Sequence, residues 1–263
     1  MYELARRKGD ETTVVEVGDA RIGEGFTVIA GPCAIEDELQ METVARGVLA
    51  AGAVLLRGGA YKPRTSPYSF QGLGDRGVEL IAAVSRRHAI PAVVEALSTD
   101  QLPLLAQNVG MIQIGARSMQ NFVLIAAAAR TGLPILLKRG PAATLDEVLY
   151  AAEYALLEGN PNVVLCERGV RGFDDQTRNL FDLAGALRLK ELTHLPVIVD
   201  PSHATGRRSL IAPLVAASAA AGLDGAMIEV HPEPARSRSD AEQAIDLNDF
   251  AQLMARIGLA PPL

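Results

Sequence analysis

The chain has 263 residues, 49% of them hydrophobic and 21% charged, and a formal net charge of −6. That apolar content is enough for a full core and excludes a disordered chain. An acidic chain without Lys/Arg-rich runs gives no electrostatic case for binding nucleic acid or an anionic membrane surface. Its longest nearly apolar stretches, at 124–129 and 214–223, fall short of the roughly 18–20 residues a bilayer-spanning helix needs.

The opening segment, MYELARRKGDETTVVEV, has no apolar signal core, so export is not expected. Two cysteines, Cys33 and Cys166, cannot make a disulfide framework, which fits a reducing, cytoplasmic location. Residues 1–25 form an extension in which TTVVEV, a Gly-Asp turn and RIGEGF read as a short β-hairpin over 12–26, placed to cover one mouth of the body that follows. From there apolar runs recur: FTVIA (26–30), AVLLR (53–57), PAVVEAL (91–97), MIQIGA (111–116), PILLKRG (134–140), NVVLCERG (162–169), PVIVDPSH (196–203) and AMIEV (226–230). Each is nearly continuous in hydrophobicity, as a parallel strand covered on both faces should be. Helical spacing fills the gaps at 38–51, 75–88, 99–108, 120–131, 144–158, 179–192, 208–221 and 246–257. Thr144 with Glu147 three residues on has the form of a capping box.

Eight strands alternating with eight helices predict a (β/α)8 TIM barrel. The competing open doubly wound sheet would carry a Gly-rich phosphate turn after its first strand, and GPCAIEDE is not one. No linker or low-complexity segment interrupts the chain, so 1–263 reads as a single catalytic domain with the hairpin as its N-terminal extension.

In such a barrel chemistry sits at the C-terminal strand ends, and here nearly every end is polar. In order they give Cys33; Arg57, Lys62 and Arg64; Glu95; Arg117; Lys138 and Arg139; Glu167 and Arg168; Asp200 and His203; and Glu229 and His231. Six cations (Arg57, Lys62, Arg64, Arg117, Lys138 and Arg168) would repel one another if they converged without an anion to join them. Arg forks and Lys point charges suit phosphate and carboxylate, so a substrate with several negative charges is expected. The alternative for any one of them is a structural ion pair with Glu95, Glu167 or Asp200. A second set is Cys33, His203 and Glu229, with Asp240 in the loop after the last strand. Thiolate, imidazole and carboxylates together suit Mn, Fe, Co or Zn better than Mg or Ca. By spacing alone the signal is weak: a lone Cys such as Cys33 is more often a small core residue, and a lone His before a Gly-rich loop, as His203 is, more often a hydrogen-bonding partner.

At these residues GPCAIE (31–36), LRGGAYKPRTSPYSFQGLG (56–74), QIGARSMQNF (113–122), LLKRG (136–140), CERGVRGF (166–173), VDPSHATGRR (199–208) and EVHPEPARSRSD (229–240) resemble, in order, the type I β subgroup of 3-deoxy-D-arabino-heptulosonate 7-phosphate (DAHP) synthases. The resemblance runs from about residue 26 to 257. It implies condensation of phosphoenolpyruvate with erythrose 4-phosphate, with release of phosphate, as the first step of the shikimate pathway of aromatic amino acid biosynthesis. It implies that Cys33, His203, Glu229 and Asp240 ligate one divalent metal ion. Arg117, Lys138 and Arg168 would hold the phosphate of phosphoenolpyruvate, with Arg57 and Lys62 near its carboxylate. Lys62, Pro63, Arg64 and Thr65 would receive erythrose 4-phosphate. Lys62 is expected to protonate the new alkoxide, and His203 to serve as ligand or as ligand and water-orienting group. The expected partners are these two substrates and further copies of the chain, as a dimer or tetramer. Glu95 and Glu167 are expected to orient arginines, Asp200 to support the metal site, Cys166 to pack in its strand, and His88, His194 and His231 to be structural or exposed. Because the segment before the barrel is too short for a core of its own, insensitivity to Phe, Tyr and Trp is also expected.

Three rivals remain at this point. A sister enzyme makes 3-deoxy-D-manno-octulosonate 8-phosphate from arabinose 5-phosphate, and typically has KANRS where this chain has KPRTS. A Schiff-base aldolase would use Lys138. A non-catalytic phosphosugar-binding protein would have no use for a metal set.

Overall fold

The structure, a computed structural model, describes residues 2–64 and 66–258. Eight parallel strands close in the order of the chain: β3 (Thr27–Gly31), β4 (Leu55–Arg57), β5 (Ala92–Ala96), β6 (Met111–Ile114), β7 (Ile135–Lys138), β8 (Val163–Glu167), β9 (Val197–Val199) and β10 (Gly225–Glu229), which pairs back onto β3. Helices follow the strands: α1 (Glu38–Ala50), α2 (Asp75–His88), α3 (Leu102–Asn108), α4 (Phe122–Ala129), α5 (Leu145–Leu157), α6 (Leu183–Leu192), α7 (Pro201–Thr205), α8 (Arg208–Ala220) and α9 (Leu247–Arg256). This is the expected (β/α)8 barrel.

The strands are apolar on both faces because each face meets a different core. Ile29, Leu55, Val93, Met111, Leu136, Val164, Ile198 and Met227, one from each strand, fill the interior. Their neighbours, such as Ala30, Leu56, Val94 and Ile228, face the helices. The expected hairpin is present as β1 (Val15–Val17) and β2 (Ala20–Ile22). Val15, Val17, Ala20 and Ile22 are buried and join the interior core, while Glu16 and Arg21 face out. The hairpin is thus a plug across the N-terminal mouth. Its two-residue turn needs positive φ, which Gly18 supplies at 58°.

The closing register sets Glu229 beside Gly31, so the last strand delivers its carboxylate next to the loop that carries Cys33. Gly31 itself has φ 153°, and a Cβ there would lie 2.1 Å from the Arg57 carbonyl oxygen. Only glycine allows that approach of β3 to β4.

The capping box at α5 forms as expected: Thr144 Oγ1 accepts from Glu147 N at 3.2 Å, and Glu147 Oε2 accepts from Thr144 N at 2.7 Å. Three elements of the barrel depart from expectation by three residues or more at one end. The 99–108 helix begins as a 3-10 turn at Thr99–Gln101, capped by Ser98, before α3. Residues 179–182 do not open α6; Leu180 bridges to Val170, and Asp182 caps the helix. The run 196–203 is strand only over Val197–Val199. Asp200 then caps the one-turn helix α7, with Pro201 at its first position, where its missing N–H costs nothing.

Candidate active site

The four predicted metal ligands meet at the C-terminal mouth. Cys33 follows β3, His203 lies on α7, Glu229 ends β10 and Asp240 lies in the loop beyond it. One ligand atom from each falls within 4.8 Å of all the others. Cys33 Sγ is 2.9 Å from Asp240 Oδ2, and His203 Nε2 is 3.1 Å from Glu229 Oε1. The donor set fits a borderline divalent ion. Glu229 Oε1 fits it too: it is buried, with Arg57 Nη1 and His203 Nε2 each 3.1 Å away, and hydrogen-bonds neither among the described residues, so it keeps a lone pair for a cation. Asp240 has φ 54°, a left-handed conformation that Asp tolerates better than most residues.

The protonation states suit ligation. Burial lowers the His203 imidazole, against the pull of Asp200 and Glu229, leaving a neutral ring. Asp200 Oδ2 lies 2.7 Å from His203 Nδ1, and Asp200 Oδ1 accepts the His203 backbone N–H at 3.0 Å. This turns Nε2 toward the cluster, the usual way a carboxylate orients a ligating imidazole. Burial would raise Asp240, but the Cys33 hydrogen bond and the nearby His203 and Arg178 bring it down to about 2. Burial and the Glu229 charge push the Cys33 thiol up to about 12 despite Lys62; a bound cation is what would make it a thiolate.

Beside this cluster lies a cavity of about 340 Å³ into which the cations converge. Arg57, Lys62, Arg64, Arg117, Lys138 and Arg168 all line it, with Pro63. Thr65 lies outside the described residues. Lys62 Nζ donates to Cys33 Sγ and Cys33 O, both at 2.9 Å. Arg57 Nη1 is 3.1 Å from Glu229 Oε1, and Lys138 pairs with Asp200. Half of the six cations therefore do have an anionic or sulfur partner, supplied by Glu229 and Cys33 of the cluster and by Asp200. Among the described residues, Arg117 and Arg168 make no salt bridge. Burial lowers Arg168, and Arg178 adds to this against Asp200. Such a guanidinium gains most from an arriving anion.

The remaining strand-end residues take bland roles. Arg139 is buried on Glu167 at 3.0 Å and Asp182 at 2.8 Å. Gln113 donates to Glu95 at 3.2 Å, and Cys166 packs in the interior core. His88 meets Glu42 at 2.7 Å, and His194 meets Thr13 at 2.6 Å. His231 is buried, with Nε2 3.5 Å from Glu36 Oε1. Loop residues that strand-end reasoning passed over also enter the site: Arg171, Arg178 and Asn179 from the loop after β8, and Ser239 and Gln243 around Asp240. Their one signal is adjacency in sequence to Arg168 or Asp240. A larger open groove of about 1390 Å³ runs between α8 and α9, but its arginines, 178, 207, 208 and 256, are balanced by Asp175, Asp240, Glu242 and Asp249.

Residues 10–258 match the model of the DAHP synthetase I family. The chain is a member of that family. As such it is an enzyme. It is 47% identical over 256 residues to a phospho-2-dehydro-3-deoxyheptonate aldolase of Thermotoga maritima, covering 96% of this chain and 75% of the relative. A crystal structure of a DAHP synthase from Thermotoga maritima superposes with a TM-score of 0.94 at 44% identity, over 98% of this chain and 76% of that one. A more distant relative, 28% identical over 93% of both chains, is a 2-dehydro-3-deoxyphosphooctonate aldolase of Methylobacterium radiotolerans.

Proposed function

We propose that the chain is a 3-deoxy-7-phosphoheptulonate synthase, joining phosphoenolpyruvate to erythrose 4-phosphate and releasing inorganic phosphate. The single observation that carries this is the six-cation cavity opening directly beside the Cys33, His203, Glu229 and Asp240 cluster. Two anionic phosphates need such a cavity, and an aldehyde electrophile needs the neighbouring cluster. Those four residues would hold one Mn, Fe, Co or Zn ion, whose chemistry when bound is to polarise the aldehyde oxygen.

The chain's own groups do the rest. Arg117, Lys138 and Arg168 take the phosphate of phosphoenolpyruvate, and Arg57 and Lys62 its carboxylate. Arg64, with Pro63 and Thr65, takes the phosphate end of the tetrose. These fixed cations hold carbon 3 of the enol phosphate against the aldehyde carbon, which saves the entropy of bringing two anions together in water. As the carbon–carbon bond forms, the aldehyde oxygen needs a proton, and Lys62 Nζ, 2.9 Å from Cys33 Sγ, is the donor at hand. Water adds at carbon 2, one of its protons restoring Lys62, and the C–O bond to phosphate breaks as the new hydroxyl becomes the ketone and its proton leaves with the phosphate. His203, turned by Asp200, holds its face of the site.

We read residues 1–263 as one catalytic domain, working in the cytoplasm as a dimer or tetramer. Among the described residues no helix is long and apolar enough to cross a membrane. The octulosonate reading is weaker, since relatives of that name match at 28–30% identity against 47%. Phosphate release measured with phosphoenolpyruvate and each of erythrose 4-phosphate, ribose 5-phosphate and arabinose 5-phosphate tests the proposal. The tetrose should give the highest kcat/KM; preference for arabinose 5-phosphate would refute it.

A further inference from the structure

Gln243 lies outside every strand, yet its side chain is 3% exposed and both ends are used. Nε2 donates to Glu229 Oε2 at 2.5 Å, and Oε1 accepts from Arg178 Nη1 at 3.1 Å. Its backbone N–H donates to the Asp240 carbonyl at 3.2 Å, closing the turn in which Asp240 has φ 54°. Flipping the amide would face oxygen with carboxylate and NH2 with guanidinium, so the chemistry fixes its orientation. Arg178 Nη1 in turn lies 3.7 Å from Asp240 Oδ1.

The consequence falls on Glu229. Its carboxylate is fully buried, and Gln243 occupies Oε2. Oε1 faces the cluster, 3.1 Å from both His203 Nε2 and Arg57 Nη1, and hydrogen-bonds neither among the described residues. We propose that Gln243 is a positioning residue for the metal site: it makes Glu229 a ligand through Oε1 alone and, with Arg178, holds the Asp240 turn against it. The inference rests on the four-residue metal site proposed above.

The test is metal binding by metal-free protein, followed by calorimetry with Mn²⁺ and by the visible spectrum with Co²⁺. Gln243→Met keeps the length of the side chain and removes both contacts. Its Kd for Mn²⁺ should rise roughly 10–100-fold, the range for partners of metal ligands, and its Co²⁺ ligand-field bands should shift. The melting temperature of the metal-free protein should fall, since Glu229 Oε2 loses its buried partner, while at saturating Mn²⁺ the KM for either substrate should stay within about twofold of wild type. If the Met variant does not fold, Gln243→Asn, too short to span Glu229 and Arg178, should show the same loss. Wild-type affinity in a folded variant would overturn the inference alone. Wild-type protein that takes up no Mn²⁺ or Co²⁺ would instead remove the metal site and the inference with it.

Discussion

In the proposed site Arg64 and Arg168 would divide the cationic cavity between two substrates, and each can be tested singly. Arg64 Nε donates to the Phe70 carbonyl at 3.2 Å, and its other end reaches Ser239. It is therefore held on the side of the loop after β4. Arg168 follows β8 on the opposite side, buried and without a salt bridge among the described residues. Arg64→Ala should raise the KM for erythrose 4-phosphate by about 10–100-fold and leave that for phosphoenolpyruvate within a few fold; Arg168→Ala should do the reverse. The size follows from losing one charge-assisted contact of about 1.5–3 kcal/mol. Steady-state kinetics with each substrate varied in turn would show the split; equal effects on both would mean the division is wrong.

At the scale of the element, helix ends show how local chemistry sets positions that matter later. The α5 capping box lowers Glu147 through its hydrogen bonds to the Thr144 N–H and hydroxyl. A lowered carboxylate contributes stability that is present above its ordinary range and lost as pH falls through the lowered value. Thr144→Ala should cost about 1 kcal/mol near neutral pH, and the gap to wild type should narrow in acid, toward about pH 3. Thermal melts at both pH values check this; a gap that widens in acid would contradict it. This cap was readable in the sequence, as were the strands, because continuous apolar runs have few other ways to be buried. The short helix α7 was not. The apolar run 196–203 carries on past the strand in composition, while Asp200 and Pro201 stop it by cap geometry, and His203 sits on that turn. Gln243 and Arg178 escaped for a different reason: loops have no periodicity, and what places these two is contact between chain segments 65 residues apart.

For the whole molecule, the barrel has two ends with separate duties. The hairpin seals the N-terminal mouth with Val15, Val17, Ala20 and Ile22, and the chemistry gathers at the other mouth. Damage to the plug should therefore lower stability and spare the site. Ile22 is fully buried, and Ile22→Ala should destabilise by about 2–4 kcal/mol through the cavity it leaves. The melting temperature should fall, while kcat and both KM values at 25 °C remain close to wild type; a large loss of kcat in still-folded protein would show that the two ends are coupled. The measurement that bears most directly on the central claim is phosphate release from phosphoenolpyruvate and erythrose 4-phosphate by EDTA-treated enzyme, before and after adding Mn²⁺, for wild type and Cys33→Ser side by side. Wild type should be inactive after EDTA and regain turnover with Mn²⁺, and the folded Cys33→Ser protein should lose nearly all of it. Full turnover in metal-free Cys33→Ser protein would contradict the account.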